Sequence, residues 1–170
     1  MAAKERGEQG AKQLLIAALD SILELIDRDS LTADLLVIVP IPSSKRALRK
    51  RGEDFIHQLI QARGEVLHHD RIHLLNLLRW RREVRDQSQL SLAERVTNLA
   101  DALTVDEQSL AKWRSGKPVN AGGALRIVIV DDVLTSGSTM AAAISAISHS
   151  SLGFGSQLLG ATACHSAKPL

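Results

Sequence analysis

The hydrophobic positions of this chain change period several times. Ala11, Leu15, Ala18, Ile22 and Leu25 recur at helical spacing, which predicts an amphipathic helix over roughly 9–28. "DLLVIVPIP" is an unbroken apolar run and predicts a buried strand, Leu35 to Val39, ended by Pro40 and Pro42. A basic loop, "SSKRALRKRG", leads into a helix around Asp54 to Ala62. The middle, "EVLHHDRIHLLNLLRWRREVRDQSQ", mixes short apolar pieces with basic residues and fits no single period. "SLAE" at Ser91 then resembles a capping box with Glu94, and Leu92, Val96, Leu99 and Leu103 follow at helical spacing. Ser115 to Gly123 reads as a surface loop. The strand Ile127 to Val130 comes next, then a helix from about Ser138 through His149 and a last strand from Gln157 to Ala163.

Strands that alternate with helices, and are continuously apolar, belong to a parallel sheet covered on both faces. The fold class expected is therefore α/β, one domain over residues 1–170. Residues 1–30 would be an N-terminal helix and 35–165 the core.

Composition narrows the function classes. The chain has 170 residues, of which 45% are hydrophobic, enough for a real core. Aromatics are only 2%, so stacking platforms for bases are nearly absent. A net charge of +2 does not favour a dedicated nucleic-acid binder. Cys164 is the only cysteine, which excludes an intrachain disulfide and a cysteine-based zinc site. The charged start, "MAAKERGEQG", is not a secretory signal, and no apolar run is long enough to span a bilayer. A cytoplasmic protein without membrane partners is expected.

The chemistry concentrates in "IVIVDDVLTSGSTM", Ile127 to Met140. Asp131 and Asp132 stand side by side at a strand end, which costs mutual repulsion unless something answers it. In an open parallel sheet, ligands bind at the carboxyl ends of strands. Gly137 lets a ligand approach the main chain, and Thr135, Ser136, Ser138 and Thr139 surround it with hydroxyls. The helix beginning there directs first-turn N–H groups and a positive dipole end at the same point. The segment has neither the Walker pattern nor the Gly-x-Gly-x-x-Gly turn. Carboxylates beside a one-phosphate cradle suit a sugar's vicinal hydroxyls, with a divalent cation offsetting the charge. The ligand implied is a ribose carrying a 5-phosphate. An ordinary strand–turn–helix with a capping hydroxyl would explain Ser138 or Thr139, but not the acid pair.

"IVIVDDVLTSGST" resembles the phosphoribosyl-diphosphate motif of the type I phosphoribosyltransferases. The resemblance implies their fold, a central parallel sheet flanked by helices with a mobile flap. It implies that Asp131 and Asp132 bind the ribose hydroxyls as the catalytic pair. Thr135, Ser136, Gly137, Ser138 and Thr139 would bind the 5-phosphate.

A second anion site is expected where "VIVPIPSSKRALRKRG" leaves its strand, with Ser43, Ser44, Lys45 and Arg46 on the diphosphate. The later basic residues read as solvated surface. Strand-Pro-x-Pro followed by a basic stretch ending in Arg-Gly is similar to the ComF-like, competence-associated phosphoribosyltransferases. Arg51 and Gly52 fit that pattern, whereas Glu53 and Asp54 depart from its usual Phe-Asn-Gln continuation. Arg79, Gln87, Leu90, Ser91, Glu94, Arg95, Asn98 and Leu99 also match it. That resemblance makes 79–99 a flap over the diphosphate, with Arg79, Gln87 and Arg95 as contacts; solvated charge is the competing reading for Arg79, Arg81, Arg82 and Arg85. Many ComF-like proteins carry an N-terminal cysteine zinc module, and this chain has no cysteine before Cys164, so a short form or a lost N-terminus is expected. The first helix, with or without part of the middle segment, would then supply the hood over the acceptor.

The resemblance implies Mg2+ as cofactor, held mainly by the substrate with no direct protein ligand. The expected reaction transfers the 5-phosphoribosyl group to a base or amine, releasing diphosphate. A non-catalytic phosphoribosyl-diphosphate sensor and a DNA-uptake accessory are the alternatives, and a homodimer is left open. "HHDRIH", with His68, His69, Asp70 and His73, reads as scattered histidines and not as a metal site. Trp80 and Trp113 read as buried apolar residues and Cys164 as an inert core thiol.

Overall fold

The computed structural model describes residues 35–45, 48, 49, 71–82, 99, 101–116, 125–134, 137–153 and 155–165, with helical positions between Gly10 and Glu24. For 132–134 and 163–165 it describes the backbone alone. Among the described residues there are six strands: β1 Leu35–Pro40, β2 Ile72–Leu74, β3 Leu78–Trp80, β4 Leu103–Val105, β5 Leu125–Leu134 and β6 Gln157–His165. Two helices are described end to end, α1 Glu107–Ser115 and α2 Ser138–Ser148.

The central sheet has four parallel strands in the order β2-β1-β5-β6, and β3 with β4 makes a separate antiparallel ribbon. This is an α/β architecture with helices flanking a parallel sheet. Both sheet faces are covered. Val37, Val39, Ile127 and Ile129 are fully buried on one face, and Leu36, Ile38, Val128 and Val130 are nearly so on the other. The period of two along each strand separates these sets. Strands buried on both sides read as continuous apolar runs, which is why β1 and β5 stood out in the sequence.

The first of these faces carries the ribbon and both helices. Ile127, Ile129, Val37 and Val39 share one buried cluster with Leu78 and Leu103 of the ribbon, Leu110 of α1, and Met140, Ala143 and Ile147 of α2. Gly160 on β6, opposite Ile129, leaves room for Met140; a Cβ there would lie 3.2 Å from its Sδ.

Several sequence expectations are corrected. β5 does not stop at Val130; it runs through Asp131 and Asp132 to Leu134, because β6 continues to pair with it as far as His165. β6 likewise extends two residues past Ala163. The basic run after β1 is not a loop throughout: Lys45, Leu48 and Arg49 are helical, and the Leu48 N–H donates to the Ser44 carbonyl over 2.9 Å. Lys, Arg, Ala and Leu are good helix formers, and Ser44 stands where a cap belongs. Leu103 lies in β4 and not in a helix. Leu99 is helical, but Asp101 takes a left-handed conformation (φ 53°) that ends the turn. α1 was not anticipated at all. The loop expected from Ser115 starts later, since Ser115 ends α1 and Gly116 caps it; its residues 117–123, the helix expected over 54–62 and the capping box at Ser91 lie outside the described residues.

α1 starts at Asp106, whose carboxylate accepts from the Ser109 amide (3.3 Å) and hydroxyl (2.6 Å). Among the described residues no helix is long and apolar enough to cross a membrane.

Ile129 is fully buried at the centre of the sheet. Ile129→Ala is expected to lower unfolding stability by about 2–5 kcal/mol, read from urea denaturation. A loss under about 1 kcal/mol would contradict the packing described.

Candidate functional site

The topology fixes where a ligand can sit. From β1 the chain moves to β2 on one side; later it enters β5 on the other side and continues outward to β6. The direction of winding reverses between β1 and β5, and loops leaving such a pair diverge and open a crevice at the carboxyl ends of the strands.

The register places specific residues at that crevice. Pro40 pairs with Val130, and the Ile41 N–H donates to the Val130 carbonyl over 2.9 Å. There β1 leaves the sheet. Asp131 is the next residue of β5, opposite Thr162 of β6, so β5 continues without β1 at its side. By strand alternation Asp131 shares the face of Ile127 and Ile129, the face that α2 covers. It is half-buried and engaged in a polar or electrostatic contact.

A helical start follows each of these two strands, β1 and β5. Past β5, Gly137 adopts φ 72°, ψ −3° and precedes Ser138, with no side-chain cap on α2. The Ala141 N–H donates to the Gly137 carbonyl over 2.8 Å, so the helix is regular from its first turn. First-turn amides have no intrahelical acceptor and point out of the helix end. Ser138 is buried and Thr139 half-buried. Past β1, Ser43 and Ser44 are half-buried, and a helical turn opens at exposed Lys45. Both helix starts carry a positive dipole end, and Lys45 adds a full charge.

The structure therefore places Ser43, Ser44 and Lys45 directly after β1, Asp131 one residue past the last β1–β5 pair, and Gly137, Ser138 and Thr139 at the start of the helix that follows β5. Thr135, Ser136, Arg46, Gln87 and Arg95 lie outside the described residues, as does the Asp132 side chain, whose backbone continues β5. Arg79 stands on β3 and forms an ion pair with Asp106, the cap of α1. Arg81 and Arg82 are exposed just beyond β3.

Trp80 packs partly against the core and donates its indole N–H to the Pro42 carbonyl over 2.9 Å. Sequence alone gave no sign of this bond, because its partners are 38 positions apart. Trp113 is half-buried and meets His73 edge-on at 5.6 Å. His68, His69 and Asp70 lie outside the described residues, and among those described no three His, Cys, Asp or Glu side chains gather as for a metal.

A groove of about 520 Å³ runs along α2 from Ser138 to His149, with Arg81, Asp101 and Glu107 on its other wall. It follows the flank of the helix, and Ser138 is the described residue it shares with the strand-end constellation.

No protein-family model matches this chain, and no curated protein matches it.

The left-handed φ at Gly137 costs a residue with a Cβ, so Gly137→Ala should lose about 1–2 kcal/mol of stability in chemical denaturation; an unchanged midpoint would refute that geometry. The Ser109 hydroxyl and amide, and then Arg79, hold the Asp106 carboxyl below its ordinary value. A depressed carboxylate stabilises the fold above its unfolded pKa, and this is lost as pH falls through the folded one. The Tm advantage of the wild type over Asp106→Asn should thus be present at neutral pH and fade below about pH 4. An advantage that persists unchanged at lower pH would remove the electrostatic explanation.

Proposed function

We propose that this chain is a type I phosphoribosyltransferase-like enzyme of the ComF-like kind. It binds phosphoribosyl diphosphate with Mg2+ and transfers the 5-phosphoribosyl group to a nitrogen nucleophile. The observation that carries the reading is the reversal point between β1 and β5. There an aspartate-bearing strand leads through a left-handed glycine into an uncapped helix, beside a second helical start bearing Lys45.

Each part has a role in that chemistry. Amides and hydroxyls around Gly137, Ser138 and Thr139 hold the 5-phosphate, where the helix end favours an anion. Asp131, one residue past the last β1–β5 pair, accepts hydrogen bonds from the ribose hydroxyls, with Asp132 as its partner. Once ionised, it also stabilises positive charge developing at the anomeric carbon as the bond to diphosphate breaks. Ser43, Ser44 and Lys45 hold the departing diphosphate, with Arg46 beside them in sequence.

An aspartate beside hydroxyls is an oxygen donor set that suits a hard cation. Asp131 is the described side chain that would meet magnesium arriving on the substrate's oxygens. When bound, that ion offsets the diphosphate charge. The acceptor attacks the anomeric carbon from the open side of the crevice, and no protein nucleophile takes part.

The test is calorimetric titration of phosphoribosyl diphosphate in the presence of magnesium. The wild type should bind, and Asp131→Asn should bind roughly tenfold or more weakly, because a charge-assisted hydrogen bond is lost. Equal tight binding by both forms would defeat the role given to Asp131. Diphosphate release measured across a panel of bases and amines separates transfer from sensing: binding without release for any acceptor would leave a sensor.

A further inference from the structure

We propose that Trp80 is a positioning residue that sets the conformation of Ser43–Lys45 through its hydrogen bond to Pro42. The inference rests on the assignment of that segment to the diphosphate.

The chain between β1 and the following helical turn has little freedom left. Pro40 and Pro42 fix their own φ angles and restrict ψ at Val39 and Ile41. Ile41 is further held by its N–H bond to Val130, and its side chain is buried. From Ser44 the backbone is committed to the helical turn, since the Ser44 carbonyl accepts from Leu48. Between these two fixed points, ψ of Pro42 orients the peptide unit joining Pro42 to Ser43.

That peptide is the one Trp80 holds. Its carbonyl accepts the indole N–H at 2.9 Å in a partly buried setting. Because a trans peptide is planar, with C=O and N–H opposed, fixing the carbonyl towards the indole turns the Ser43 N–H the opposite way. One hydrogen bond from the ribbon thus selects the direction in which the first amide of the anion segment points. The indole itself is set by packing: Trp80 rests on the cluster that also holds Ile41, and β3 is tied to β4 on its other side, with Arg81 N–H on the Ala102 carbonyl at 2.8 Å. Burial alone would be met by any large apolar side chain. The directed N–H is what requires tryptophan here.

Trp80→Phe keeps an aromatic ring against the core and removes only the donor. Two ligands are titrated separately into wild type and variant, inorganic diphosphate with magnesium and ribose 5-phosphate. Diphosphate should bind about three- to tenfold more weakly to the variant, the range of one neutral hydrogen bond. Ribose 5-phosphate, assigned to Asp131 and the Gly137 turn after β5, does not use the Ser43 amide and should change by less than about twofold. Ile147→Ala, a fully buried core truncation at the end of α2 opposite Gly137, serves as control, since general loss of stability should not separate the two ligands. Unchanged diphosphate affinity, or an equal loss for both ligands, overturns the positioning role while leaving the proposed function standing. If the wild type binds ribose 5-phosphate but not diphosphate, the assignment of the Ser43–Lys45 segment falls, and the inference with it. Binding of neither ligand by the wild type defeats the functional reading itself.

Discussion

The parallel pairing of β1 with β5 is the constraint on which the rest of this structure depends. Six residues of each strand are in register, from Leu35 with Leu125 to Pro40 with Val130. These strands are distant in sequence, so their pairing must be held by burial of both faces; local turn chemistry cannot supply it. Branched side chains do this well, because they lose little rotamer freedom on a pleated surface and pack against both neighbours. Once the pair exists, the end of β1 lies beside the middle of β5, where Val130 is followed by Asp131.

The two strands differ beyond this point, and the difference is useful. After β1 the chain leaves the sheet at once, through two prolines that cannot extend a ladder. After Val130 the other strand continues, carried by β6. One side of the crevice is thus a loop tied down by Trp80, and the other a strand fixed by its hydrogen-bond ladder. A carboxylate on a paired strand is held more closely than one on a turn, which suits the orienting role proposed for Asp131. Gly137 marks where that rigidity is given up so that the chain can turn into α2.

Much of this was legible in the sequence, for identifiable reasons. β1, β5, α2 and β6 are long or strongly patterned, and their expected bounds fall within a few residues of those found, except where β5 passes through the acids. The acids misled there: two adjacent charges look like a strand end, but β6 supplies pairing that no local pattern reveals. The three-residue strands β2, β3 and β4 are too short to display a period. α1 was missed because one fully buried residue, Leu110, anchors an otherwise polar helix; the pair Asp106 and Ser109, three apart, was its available signal. Of the candidate site, the residues flanking Gly137 and those after Pro42 are candidates by type and spacing. Their place relative to the sheet comes from strand order, and the bond from Trp80 to Pro42 only from the three-dimensional structure.

Strand periodicity makes the placement of Asp131 a sharper statement than its half-burial suggests. Side chains on a strand alternate, so a slip of one residue between β1 and β5 would move Ile127, Ile129 and Asp131 together to the opposite face. It would also take Ile127 and Ile129 away from α2 and the ribbon, with which they share the core. The hydrophobic contacts that fix the register therefore also fix which face the carboxylate occupies. The core need not contact a ligand to determine the site. It determines it by permitting one alignment of β5, and the aspartate is carried to the α2 face as a consequence.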